Sequence, residues 1–223
     1  MGCILARMGF RLAAAVLPLA ASAFAQTANM QEIAQGLGVK CEYCHARGPD
    51  TPARAKLEIA RAMIAMTRDL NTQIQQATGK PPGEVTRVAC ITCHRGVTIP
   101  GQLSDILART AIEKGPDAAV AQYRDLRAQY MGHQAYDFSE DTLLIAAQQV
   151  VRVKPPASIP LLQLNLEFYP KSVRSYAQIA FACTRSLDDE SAIAALQKAL
   201  EIEPDNGEIR GQLEQLKSYR RKR

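Results

Sequence analysis

Apolar residues recur along most of this chain at three- and four-residue spacing, the period of helices that bury one face. The first departure is the apolar run Leu12 to Ala21, which follows Arg7 and Arg11 and precedes Ala23-Phe24-Ala25. A positive start, an apolar middle and a small-x-small site read as an export signal cleaved near Ala25, so the mature chain is expected to begin at Gln26. Pro18 interrupts the run, which is also shorter than the ~20 residues of a spanning helix, and this argues against a retained anchor. A short helix is predicted over Gln31 to Leu37, with Ile33 and Leu37 on one face and Gly36 and Gly38 loosening its end. Gly48, Pro49 and Pro52 predict a loop over 47–53. A long helix follows from Ala53 to about Gln75, where Ile59, Ala60, Met63, Met66 and Leu70 form one stripe. Gly79-Lys80-Pro81-Pro82-Gly83 ends it.

From Leu103 onward no strand-like alternation occurs, and the pattern repeats. Phe168-Tyr169-Pro170 and Ile202-Glu203-Pro204 each close a helix, with Pro170 and Pro204 34 positions apart. That is the period of a tetratricopeptide repeat, a helix pair that stacks on its neighbours. Tyr176, Ile179 and Ala180 fall on one helix of the later copy, and Ala192, Leu196 and Ala199 on the other; Ser158 and Leu162 take the equivalent places in the earlier copy. Leu103 to Tyr130 reads as a more degenerate pair. The pattern predicts an all-α chain with a signal over 1–25, a first domain over 26–100 and a helical-repeat domain over 101–223. The best repeats are 139–172 and 173–206, with a capping helix over 206–220.

Two copies of one motif lie in the first domain: Cys41-Glu42-Tyr43-Cys44-His45 and Cys90-Ile91-Thr92-Cys93-His94. A Cys-x-x-Cys-His run is the attachment signal for c-type haem, in which two thiols bond the porphyrin vinyl groups and the adjacent imidazole binds iron. With six cysteines and three histidines in 223 residues, one copy arises by chance at on the order of 0.002 per chain. The expected cofactors are two covalently bound haem c groups, on Cys41, Cys44, Cys90 and Cys93, with His45 and His94 as proximal iron ligands. A zinc site made of the four thiols leaves both histidines unexplained and needs pairs nearer in sequence. A disulfide-exchange pair needs a βαβ setting that this chain lacks.

Composition adds two points. Aromatic residues make up 5% of the chain and tryptophan is absent, against 47% hydrophobic residues. Two porphyrins would supply that missing core volume. The formal charge is +5, but Lys217, Arg220, Arg221, Lys222 and Arg223 crowd the C-terminus, and residues 26–216 are slightly acidic. A nucleic-acid partner would need a broader basic face, so none is expected. The basic end reads as a solvated helix terminus, with membrane contact at most peripheral.

A low-spin, electron-transferring iron needs a sixth ligand. The one spare histidine, His133, sits in Met131-Gly132-His133, a turn between helices. A thioether opposite imidazole raises the reduction potential, which makes Met30, Met63, Met66 and Met131 the candidates. Lys40 and Arg95 are candidates to pair with propionates. Gly96 is placed to let the backbone pass close to the porphyrin. Cys183 occupies an apolar slot of a repeat helix and reads as a buried thiol.

A methionine-bearing helix leading through Leu37-Gly38-Val39 into Cys41-x-x-Cys-His45 resembles the haem unit of the photosynthetic reaction-centre cytochrome c subunit family. So does Met63-x-x-Met66-Thr67-Arg68-Asp69-Leu70-Asn71 leading to Cys90-Ile91-Thr92-Cys93-His94-Arg95-Gly96. The likeness covers roughly residues 27–100. It implies that Met30 binds the iron held by His45 and that Met66 binds the iron held by His94, with Met63 the alternative one turn earlier. Members attached to reaction centres typically carry four haems, whereas this chain has two motifs, so photosynthesis itself is not implied.

The resulting expectation is a periplasmic, two-haem, one-electron carrier rather than a catalyst, docked through its repeats to a redox protein or membrane electron-transfer complex. Two rivals differ in chemistry: a two-haem peroxidase-like enzyme with one open iron, and a haem-based sensor. Against the first stands the lack of a histidine-rich pocket, and against the second the lack of a recognisable output module.

Overall fold

The computed structural model describes residues 29–45 and 51–222, with side chains at 51–53 and 222 left aside; the export-signal expectation lies outside the described residues. Among the described residues the fold is all-α, with no strand. Five elements make up the first part: α1 (Met30–Leu37), α2 (Glu42–His45), α3 (Thr51–Thr78), a single 3-10 turn (Pro82–Glu84) and α4 (Cys90–His94). The second part holds α5 (Leu103–Lys114), α6 (Pro116–Tyr130), α7 (Glu140–Val150), α8 (Pro155–Phe168), α9 (Val173–Arg185), α10 (Asp189–Ile202) and α11 (Gly207–Lys222).

Helix α3 begins two residues earlier than the sequence pattern suggests, so Thr51 to Ala53 are helical rather than part of a loop. Pro52 does not prevent this, because a first-turn residue has no intrahelical use for the N–H that proline lacks. At the other end, Gly79 takes φ 66° and its N–H bonds Gln75 O at 2.9 Å, closing the helix.

The second part packs as a row of consecutive helices, each mainly against its chain neighbours: α5 on α6 and α7, α7 on α8, α8 on α9, α9 on α10 and α10 on α11. One core joins Leu107, Tyr123, Leu143, Leu144, Leu161 and Leu164. Burying a leucine of this kind stabilises by roughly 1.5–3 kcal/mol. The other joins Ala180, Cys183, Ala192, Leu196, Ala199, Ile209 and Leu213, and Ile179 packs against both. Positions 34 apart are used alike: Ser158 and Ala192 have no exposed surface, and Leu162 and Leu196 are buried beside them. Small residues at these crossings let the helix axes approach.

Arg127 sits over the Phe168 ring at 4.2 Å and bonds Tyr123 Oη and Phe138 O. It holds the α6 aromatics to the start of α7. Burial pushes the Tyr123 hydroxyl above its ordinary pKa, partly offset by Arg127.

In the first part, α1 packs on α4 and α3 on α2. The extensive helix contacts among the described residues thus fall within residues 30–94 or within residues 103–222.

Candidate haem-binding sites

The second motif is the better enclosed. Its five residues form α4, so Cys90 and Cys93 at i and i+3 share a face and His94 follows at once. Thr92 Oγ1 accepts from Ala89 N–H at 3.0 Å and fixes the start of the turn. The chain then reverses through Arg95 and Gly96, with φ 50° and 90°. This reversal brings Val97 O to 2.9 Å from His94 Nδ1, and the ring is only 8% exposed. A carbonyl oxygen can only accept, so Nδ1 is the donor in this bond and Nε2 is the ring nitrogen left to face a metal. A backbone bond of this kind fixes the tautomer and orientation of an iron-binding imidazole.

The first motif has the same local shape. Cys41 stands in the turn before α2, and both Cys44 N–H and His45 N–H bond Cys41 O, at 3.3 and 3.0 Å. Cys41 and His45 are exposed and Cys44 is half-buried. Lys56 from α3 places its Nζ 4.0 Å from the centre of the Tyr43 ring, joining α2 to α3.

The donor chemistry fits c-type haem. Cys41, Cys44, Cys90 and Cys93 are free thiols. No three His, Cys, Asp or Glu side chains among the described residues converge on a metal position. The four thiols therefore do not form the tetrahedral set that zinc requires. On α3 and α4, Ile59, Met66 and Ile91 present apolar surface that the described residues do not cover.

Gly36 does something other than loosen the end of α1. It is buried against α4: a Cβ at residue 36 would lie 2.9 Å from Cys90 Cβ and 2.9 Å from Ile91 N. Gly96 N–H donates to Gly36 O at 2.9 Å, and a Cβ on Gly38 would meet Gly96 O at 2.1 Å. Gly38 also takes φ 65°, where glycine alone is unstrained. The helix that leads into the first motif is thus seated on the second. Gly96 itself has open space where a Cβ would stand, so its φ of 90° is what calls for glycine.

Met30 is 60% exposed. At ~100° per residue it stands about 120° around α1 from Gly36, away from the α4 contact. On α3, Met63 is half-buried and Met66 is 43% exposed. Asn71 ties this helix to the approach to the second motif: its Nδ2 donates to Val88 O at 2.8 Å and its Oδ1 accepts from Val88 N–H at 2.8 Å. Met63 lies ~80° and Met66 ~140° around the helix from that side chain. Nothing in the sequence pattern marks the pairing of Asn71 with Val88 or the carbonyl of Val97. Gly36 and Gly96 carried a usable signal, since a glycine inside or beside a helical pattern often marks a close backbone approach.

Of the remaining candidates, Lys40 and Arg95 are exposed beside the motifs, and His133 lies exposed in the bend after α6, next to the exposed Met131. Cys183 is buried, and that burial pushes its thiol pKa up, as suits an inert core sulfur. No helix among the described residues is long and apolar enough to cross a membrane.

Fold and motifs together define a class: an all-helical protein carrying c-type haem attachment sites. The profile of the family described as photosynthetic reaction centre cytochrome C subunit matches residues 19–181, and the chain belongs to that family. A photosynthetic reaction center cytochrome c subunit of Rubrivivax gelatinosus is 33% identical over 63 residues, which cover 28% of this chain and 16% of that protein. The chain thus matches a small part of its curated relative.

Proposed function

We propose that this protein is an exported c-type cytochrome with two haems that passes electrons one at a time to or from a partner complex. The observation that carries the reading is α4: two free thiols on one face of a helical turn, followed by a histidine whose Nδ1–H is held by Val97 O. A bound c-type haem supplies an iron that changes reversibly between two oxidation states.

The chain's own residues do the rest. Cys41 and Cys44 anchor one haem and His45 binds its iron; Cys90, Cys93 and His94 serve the other. Met30 and Met66 are the sixth ligands, with Met63 the alternative to Met66. A thioether on the open side excludes small molecules and raises the potential. Helices α5 to α11 form the tetratricopeptide-like domain that docks the chain to its redox partner, and the signal before Gln26 delivers the protein to the periplasm.

Mass measurement of exported protein should show two covalent haems. Spectra should be low-spin at both irons, with the weak methionine-to-iron band in the oxidised state and little carbon monoxide uptake after reduction. A high-spin site that takes up carbon monoxide rapidly would replace the carrier reading with the enzyme or sensor one. Met66→Ala and Met63→Ala, made separately, assign the second ligand: only loss of the true ligand removes the methionine band of the haem on His94.

A further inference from the structure

The loop between α9 and α10 holds a leucine where the backbone favours glycine. Leu187 N–H bonds Thr184 O at 3.1 Å and Asp188 N–H bonds Cys183 O at 2.9 Å, the paired bonds of a Schellman cap. The cap puts Leu187 at φ 62°, a conformation that strains an L side chain and is usually filled by glycine or asparagine. Burial does not offset this strain, because Leu187 is 75% exposed. A strained residue with no return in the folded chain points to a use outside it.

That use is visible beside it. Leu187 lines a groove of about 840 Å³ along α7 to α11, together with Phe181, which is 54% exposed, and Tyr219 of α11, also exposed. Two guanidinium groups stand in the same lining. Arg152 makes no ion pair among the described residues, and Arg185 lies 5.9 Å from the Phe181 ring. Asp189 is the one carboxylate in the lining. The groove therefore combines uncovered apolar surface with two guanidinium groups and a single lining carboxylate.

We propose that this groove binds an acidic, amphipathic peptide segment of a partner protein. The segment's apolar side chains cover Phe181, Leu187 and Tyr219, and its carboxylates pair with Arg152 and Arg185. This deepens the docking reading above and rests on it. Charge complementarity selects the occupant: carboxylates of a partner would meet Arg152 and Arg185, whereas the end of α11 in a second copy would bring Lys217, Arg220 and Arg221 against those same two guanidinium groups. The recess also suits an inserted helix or strand better than a flat lipid surface.

The test is selection of displayed random 16-residue peptides on the full haem-loaded chain. Enriched sequences should carry Asp or Glu flanking bulky apolar residues. A synthetic copy of the best peptide should bind about tenfold more weakly to Leu187→Gly, since one leucine's burial is lost. The same variant should melt a few degrees higher because the cap strain is gone. Arg152→Glu with Arg185→Glu should also weaken binding at least tenfold. Failure to enrich acidic-apolar sequences, enrichment of basic ones, or undiminished binding by these variants would overturn the proposal. So would co-sedimentation with phosphatidylglycerol vesicles that Leu187→Gly abolishes in place of peptide binding. Haem mass and spectra of the parent protein keep the two readings apart: absence of covalent haem there defeats the carrier reading, while peptide binding to the groove is read separately.

Discussion

Leu107, Leu143 and Leu161 in the second half of the chain have no exposed surface, whereas Met30, Ile59, Met66 and Ile91 in the first half are all substantially exposed. The two halves have similar helical patterning and bury it differently. Helices α5 to α11 interlock with each other around two cores made of protein side chains alone. Helices α1 to α4 meet through backbone contacts at Gly36, Gly38 and Gly96 and through the Asn71 amide. Such contacts set geometry but bury little apolar area, so the porphyrins are expected to provide most of the hydrophobic stabilisation there. A helical stripe in sequence therefore does not reveal whether its partner is protein or cofactor.

Withholding haem attachment is the strongest challenge to this contrast. In protein made without it, amides of residues 30–45 and 51–97 should exchange close to the unfolded rate, while α5 to α11 keep their protection. Uniform loss of protection across both halves would show that the second depends on the first. The converse change, Leu107→Ala, should cost about 2–5 kcal/mol in denaturant unfolding of the second half and leave the haem spectra unchanged.

Two glycines of similar backbone conformation give a finer comparison. Gly38→Ala meets both left-handed strain and the Gly96 carbonyl, and should cost more than about 2 kcal/mol while releasing α1 from α4. Gly79→Ala has the strain alone, because nothing lies within 4 Å of its added carbon. Its cost should stay near about 1 kcal/mol, read by thermal melting of the haem-loaded protein. Equal costs would mean that the α1–α4 contact contributes nothing.

The smallest effect concerns Asp188, which caps α10 by accepting from Ser191 N–H at 3.0 Å. Hydrogen bonds from Ser191 hold its carboxyl below the usual range. Its cap is thus fully present above the unfolded-state pKa and is lost as pH falls through the lowered folded value. Asp188→Asn should flatten the acid side of the stability profile of the second half slightly and do nothing to the first.

Much of this was legible in the residues themselves. The all-helical fold follows from three- and four-residue periodicity, and the family resemblance from the two Cys-x-x-Cys-His runs with their methionine helices. The start of α3 was misplaced because Pro52 reads as a breaker, although proline in a first turn loses no bond. The seating of α1 on α4 escaped sequence reading for a different reason. Residues 36 and 96 meet through backbone atoms, and a glycine's pattern says that something approaches closely without saying what. Asn71 was similarly opaque, since its partner is a main-chain amide and carbonyl 17 positions away.

The bond from Gly96 to Gly36 joins points on either side of both motifs, and so closes a ring of chain that contains them. The two motifs are consequently tied into one unit for any attempt to cut or transplant them. A fragment ending after His45 would keep α1 but lose the surface it rests on, and a fragment starting at Thr51 would keep α4 with its Cys90 flank bare.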